Sequence, residues 1–225
     1  MADQCDTYLL GPLPALTQEE LKDLCSTERV QVSGGCCHHQ HSTATSSEGH
    51  AHPKRSGETK QKIKFSVGAL TVSDRASQGV YEDKSGLEIT KFFESRPEGY
   101  TVSESKICPD EKADIQRIVK EMVDKDINLI LTTGGTGFTE RDITPEAVKE
   151  LLEREAPGLV FKIMESGLKF TKFAVLSRPV AGTCGKSLII TLPGKPKAVK
   201  ENLEILEEIL PHALHHLIGE KHLHQ

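Results

Sequence analysis

The chain has 225 residues, 36% hydrophobic and 27% charged, with a net charge of −5. That length suits one ordinary domain plus an extra segment, and the acidic balance argues against a general affinity for nucleic acid. No run reaches the ~18 apolar residues of a membrane span, and Asp3 and Asp6 precede any basic residue, unlike a secretory or transit signal, so a cytoplasmic protein is expected.

Residues 1–61 read as a low-complexity extension rich in Ser, Thr, His and Gly, without apolar periodicity from Ser33 to Thr59. Two features interrupt it. Thr17 and Glu20 form a capping-box pattern ahead of Leu21 and Leu24, sufficient for a short helix. Cys36, Cys37, His38, His39 and His41 offer soft metal ligands, but adjacent ligands cannot easily close one tetrahedron. The six cysteines are too scattered for a disulfide framework.

From residue 62 the texture changes, and residues 62–219 are expected to form the folded domain, with 220–225 a short tail. Ile63 to Val72 reads as a central parallel strand, nearly continuously apolar. Ser85 and Glu88 suggest a capping box opening a helix through Phe93, and Thr101 to Ile107 a second strand. A helix is expected from Pro109-Asp110, because Ile115, Ile118, Val119 and Met122 fall at i, i+3, i+4, i+7. Leu129 to Leu131 is a third strand running into Gly134, Gly135 and Gly137.

Beyond the glycines, helices are expected from Pro145 to Arg154 and from Leu159 to Phe170. Two short strands around Gly182 to Gly185 follow, the second being Ser187 to Leu192. Val199, Leu203, Leu206, Leu210, Leu214 and Leu217 then mark one last amphipathic helix. Alternating strands and helices predict an α/β fold, a three-layer α/β/α sandwich with a mostly parallel sheet.

All ten histidines lie at or before His52 or at or after His212. The centre of the domain therefore lacks the histidine of Ser-His-Asp or Cys-His catalysis and of His-ligated zinc. What it offers is a glycine loop after a strand, where open α/β sheets bind ligands and bare N–H groups can approach an anion. Gly134 to Gly137 matches neither a Walker A nor a dinucleotide fingerprint, and a purely structural tight turn stays open. Asp74, Asp110 and Asp142 follow three different strands, and such carboxylates suit Mg²⁺ beside a substrate phosphate. Each also has a plainer reading: Asp74 as a turn former, Asp110 as a helix cap, Asp142 as a partner of Arg141 or a cap on the turn before Thr144.

Residues 63–217 resemble the molybdenum-cofactor biosynthesis family, which includes molybdopterin adenylyltransferases and gephyrin-type N-terminal domains, and look most like the gephyrin type. The resemblance rests on Leu70 to Asp74, Pro109 to Glu111, Leu131 to Phe138, Arg141 to Ala147, Glu153 to Gly158, Leu176 to Pro179 and Leu192 to Gly194. It implies transfer of AMP from ATP to the terminal phosphate of molybdopterin, usually by a homotrimer. It further implies Asp110 and Asp142 as catalytic positions and Gly134, Gly135, Thr136 and Gly137 as the binding loop. Ser177 would line the pterin site, with Asp74, Pro193 and Gly194 at the pocket edges; Mg²⁺ is expected on Asp110 and Asp142. Glu140 and Lys195 depart from the family pattern, which often has proline and serine there. The chain ends at Gln225 without the molybdenum-inserting domain of gephyrin, so hand-over to a separate insertase is expected. The alternatives are a non-catalytic trimeric scaffold and a nucleotide pyrophosphatase on a related fold.

Overall fold

The computed structural model describes residues 63–219. The expected short helix after Thr17, the Cys/His tract and the 220–225 tail lie outside the described residues.

A six-stranded sheet runs in the order β2-β1-β3-β6-β5-β4. Its strands are β1 (Phe65–Val72), β2 (Tyr100–Cys108), β3 (Leu129–Thr133), β4 (Arg154–Glu155), β5 (Ala181–Cys184) and β6 (Ser187–Leu192). β2, β1, β3 and β6 are mutually parallel, β5 runs antiparallel to β6, and the short β4 runs antiparallel to β5. The chain passes from β1 outward to β2 and returns to β3 on the other side of β1. That reversal opens a crevice between the carboxyl ends of β1 and β3, the usual ligand position in such sheets.

Helices cover both faces. They are α1 (Asp74–Ser77), α2 (Lys84–Glu94), α3 (Lys112–Asp124), α4 (Thr144–Lys149), α5 (Pro157–Phe170), α6 (Pro196–Leu206) and α7 (Leu210–Leu217), with a 3₁₀ turn at Lys172–Leu176. The period of two along each strand divides the core. Leu129, Leu131, Leu188, Ile190 and Leu192 pack with Ile89 and Phe93 of α2, Ile163 of α5, and Val199, Leu203, Leu210 and Leu214 of α6 and α7. Ile130 and Ile189 face the other way, onto Ile115, Val119 and Met122 of α3 and Ala147 and Val148 of α4. The three-layer sandwich expected from the alternation is therefore what forms.

Several boundaries differ from the sequence expectation. α2 is capped by Asp83, whose Oδ1 accepts from Gly86 N at 2.9 Å, and not by Ser85. Ser85 instead donates to the Gly194 carbonyl at 2.7 Å. The helix expected to reach Arg154 stops at Lys149, because Arg154 and Glu155 pair with Thr183 and Gly182 of β5. The last helix is two, α6 and α7. Pro211 falls in the first turn of α7, and a helix running through it would meet both its missing N–H and its ring. The apolar stripe survives the break because Leu206 and Leu210 are both fully buried. His215 of α7 packs edge-on against Phe65, the first residue of β1, with ring centroids 4.8 Å apart. That is the end of the strand opposite its carboxyl edge.

Candidate active site

Four parallel strands deliver their next residues to one edge: Ser73 and Asp74 after β1, Pro109 and Asp110 after β2, Gly134 and Gly135 after β3, Pro193 and Gly194 after β6. Two of these loops approach backbone to backbone, since a Cβ on Gly194 would stand 3.2 Å from Gly134 Cα. Gly134 has φ +96, and a Cβ there would stand 2.2 Å from the Val72 carbonyl oxygen. Gly135 has φ +61, and a Cβ there would stand 2.3 Å from Thr144 Oγ1 and 3.0 Å from Asp110 Oδ1. Both positions need glycine for conformation and for space. Thr133 Oγ1 donates to the Pro193 carbonyl at 2.7 Å, tying the two central loops together.

Asp74 and Asp110 lock each other. The Asp74 N–H donates to Asp110 Oδ2 at 2.7 Å, and the Asp110 N–H donates to Asp74 Oδ1 at 3.0 Å. Asp110 is therefore not the cap of α3, whose N-cap residue Glu111 makes no side-chain cap bond. Arg141 clamps Asp74 from outside, with Nε 3.0 Å from Oδ2 and Nη2 2.9 Å from Oδ1, and reaches Glu111 at 2.8 Å. It pairs with these two, not with Asp142. The clamp holds the Asp74 carboxyl below the usual range. Asp110 goes the other way: burial, and then the negative charges of Asp74 and Asp142, push it up.

Asp142 has a third environment. Its Oδ2 accepts from Thr139 N at 2.8 Å and Thr139 Oγ1 at 2.6 Å, closing the turn after the glycines. Burial alone would raise its pKa, but the Thr139 and Gly137 donors and the Arg178 charge outweigh that and hold it low. The capping alternative thus describes part of what Asp142 does, with Thr139 as the partner. Arg178 was not singled out from the sequence, although it follows Ser177 directly. Its Nε donates to the Gly137 carbonyl at 2.8 Å, Nη2 to the Asp142 carbonyl at 2.5 Å, and Nη1 pairs with Glu146. One guanidinium thereby holds both ends of the glycine turn.

Past Gly137 opens a cavity of about 290 Å³. It is lined by Thr136, Ser177, Pro193, Gly194 and Lys195, and Ile163, Met164, Phe170 and Phe173 supply an apolar wall. Thr136 Oγ1 and Ser177 Oγ lie 3.3 Å apart in its lining. The structure therefore divides the expected residues into two regions. Asp74 and Asp110 stand on the β1–β2 side, while Thr136, Ser177, Pro193, Gly194 and Lys195 surround the cavity on the other. Gly134, Gly135, Gly137 and Asp142 join them. Glu140 is exposed to solvent and takes no part. A larger cleft, about 440 Å³ and lined by Arg96, Tyr100 and Glu207, lies at the amino-terminal end of β2, away from all of these groups.

Among the described residues no cluster of three or more His, Cys, Asp or Glu side chains gathers as a ready metal cage. A hard cation held jointly with a substrate needs fewer protein ligands, because Mg²⁺ keeps waters and takes phosphate oxygens. The donor set fits that case. Asp110 is half-buried among like charges, its Oδ1 accepts no hydrogen bond from the described residues, and the nearby Arg141 is already engaged by Asp74 and Glu111. Thr144 Oγ1, buried and unpartnered among the described residues, faces the same Gly135 position as Asp110 Oδ1.

A family model described as "Probable molybdopterin binding domain" matches residues 68–212. Gephyrin of Dictyostelium discoideum is 42% identical over 169 residues, 72% of this chain and 23% of that protein. The chain thus spans about a quarter of that relative's length. The molybdopterin adenylyltransferase of Helicobacter pylori strain J99 is 40% identical over 154 residues, covering 68% of this chain and 88% of the relative. Among solved structures, the molybdopterin biosynthesis enzyme MoaB of Thermus thermophilus aligns with a TM-score of 0.65 at 43% identity, over 69% of this chain and 98% of that one.

Proposed function

The chain belongs to the molybdopterin-binding domain family of molybdenum-cofactor biosynthesis, and from that premise we propose that it is a molybdopterin adenylyltransferase. It transfers AMP from ATP to the terminal phosphate of molybdopterin. An oxygen of that phosphate attacks the α-phosphorus of ATP, the bond from that phosphorus to the bridging oxygen breaks, and pyrophosphate leaves. The attacking oxygen is already an anion, so no protein base is required, and catalysis is positioning and charge neutralisation. A site built from carboxylates and loop N–H groups, with no histidine, suits that task.

The observation that carries this reading is the adjacency of two unlike regions across one glycine turn. The acidic pair Asp74 and Asp110 lies on one side, and a largely apolar cavity lined by the hydroxyls of Thr136 and Ser177 lies on the other. We assign the triphosphate to the first and the pterin to the second, with the reacting phosphates meeting over Gly134 to Gly137. Mg²⁺, when bound, would neutralise the triphosphate, with Asp110 as the principal ligand and Asp142 assisting. Lys195, exposed at the cavity rim, supplies a cation for the molybdopterin phosphate.

The exposed apolar residues Phe161, Leu168, Phe170, Phe173, Val175 and Leu176 of α5 and the 3₁₀ turn are the face we assign to a homotrimer. No described helix is long and apolar enough to cross a membrane. A cytoplasmic setting, where ATP is available, and hand-over of the adenylylated product for molybdenum insertion complete the reading.

The test incubates the full chain with molybdopterin, ATP and Mg²⁺ and follows pyrophosphate release together with the bound AMP adduct. Both products, each dependent on molybdopterin, are expected. A well-folded trimer making neither would favour a scaffold, and AMP released without molybdopterin would favour a pyrophosphatase.

A further inference from the structure

The loop from Gln78 to Asp83, between α1 and α2, carries two side chains that the reaction above does not use. Val80 is 61% exposed and Tyr81 46%. Exposed aromatic residues are ordinarily mobile, but this ring is held by two side-chain contacts and its loop by a backbone bond. Its hydroxyl lies 3.3 Å from Ser73 Oγ. The Arg75 guanidinium lies over the ring, 5.3 Å from the centroid. The Val80 N–H donates to the Arg75 carbonyl at 2.9 Å, so the loop folds back on α1. Asp83, at the far end, is anchored by its cap on α2 and by Thr71 Oγ1 at 2.6 Å.

The position of this ring matters more than its exposure. Ser73, which holds the hydroxyl, immediately precedes Asp74, which is locked to Asp110. The ring's hydroxyl therefore reaches the residue next to the acidic pair, and the ring is not part of the apolar cavity's lining. A nucleotide whose phosphates lie at Asp74 and Asp110 has to place its base somewhere beyond them. The acidic pair itself offers a base no flat apolar surface; the exposed rings near the crevice are Phe138, which follows Gly137 of the cavity lining and has the Arg178 guanidinium 5.6 Å from its centroid, and Tyr81, whose hydroxyl reaches Ser73 beside Asp74. Arg75 backs one face of the Tyr81 ring, leaving the other for a partner, and a guanidinium and a nucleobase both favour an aromatic face.

We propose that Tyr81, backed by Arg75, is the stacking platform for the adenine of the bound nucleotide; this rests on the adenylyltransferase reading above. Tyr81 is a positioning residue. It makes no contact with the reacting phosphates, and it fixes where the α-phosphorus sits by fixing the base.

The experiment measures binding of a non-hydrolysable ATP analogue with Mg²⁺ by calorimetry, and of inorganic tripolyphosphate in parallel, for the full chain and for Tyr81→Ala and Tyr81→Phe. Loss of one base–aromatic stack weakens binding by roughly 5- to 150-fold. Tyr81→Ala is therefore expected to weaken the analogue by that factor, leave tripolyphosphate unchanged, and raise KM for ATP but not for molybdopterin. Tyr81→Phe keeps the ring and is expected to retain most of the affinity. Equal analogue affinity in wild type and Tyr81→Ala, with adenylylation intact, would overturn the platform and leave the enzyme reading standing. A rise in KM for molybdopterin instead of ATP would overturn it too, by moving Tyr81 to the other substrate. Wild-type protein that binds no nucleotide and forms no adduct would overturn both.

Discussion

Asp74 and Asp110 each donate a backbone N–H to the other's carboxylate, at 2.7 and 3.0 Å, although 36 residues separate them. The exchange welds the ends of β1 and β2 into one rigid acidic edge. It also leaves the two carboxyls electrostatically unequal, because only Asp74 has the Arg141 clamp.

Removing the clamp as Arg141→Gln is expected to raise the Asp74 pKa, since the Arg141 hydrogen bonds are the main cause of its depression. A depressed carboxyl contributes stability above its unfolded pKa and loses it as pH falls through the folded one. The variant's deficit should therefore appear at neutral pH and disappear in strong acid. Carboxyl carbon NMR titration reads the shift directly, and an unchanged Asp74 midpoint would refute the assignment.

Asp110→Asn should do the opposite to stability. Burial and neighbouring charge raise the Asp110 pKa, so its ionised form weakens the fold once pH exceeds the unfolded value of about 4. The neutral amide removes that cost while its carbonyl can still accept from the Asp74 N–H. Urea unfolding is expected to give a more stable protein at pH 7, with the advantage vanishing below about pH 4. Adenylylation should fall by about 10²- to 10³-fold, the scale for losing one aligned electrostatic group.

Gly134→Ala is expected to be severe. The new Cβ would meet a backbone carbonyl, Val72 O at 2.2 Å, at a φ of +96. A strand end cannot move aside as a flexible side chain can, so a loss of roughly 2–3 kcal/mol is expected in denaturant titration. Wild-type stability would mean that the loop and strand are not packed as described.

Asp142 and Arg178 together hold the turn from Gly137 to Asp142. Arg178→Lys retains the charge but not the fork that reaches the Gly137 and Asp142 carbonyls, so it should not rescue Arg178→Ala. Both variants should cost about 1–3 kcal/mol and speed amide hydrogen exchange between residues 137 and 142. Asp142→Asn is expected to cut turnover severely while the domain stays folded, with faster exchange confined to the same turn.

The sequence by itself determined the alternation of strands and helices, because periods of two and 3.6 are local properties of the chain. It also narrowed the candidate chemistry to carboxylates and a glycine loop, since no histidine falls between His52 and His212. Gly134 was legible as a special backbone position, but the reason, a carbonyl on a neighbouring strand, was not. The partners of each charge were decided only by the fold. Arg141 adjoins Asp142 in sequence yet binds Asp74, 67 residues away. Asp110 resembled a helix cap and instead closes a reciprocal lock with Asp74. Arg178 reaches back across 41 residues to the glycine turn. Such pairings depend on which strand ends the parallel register brings side by side, and no spacing along the chain encodes that.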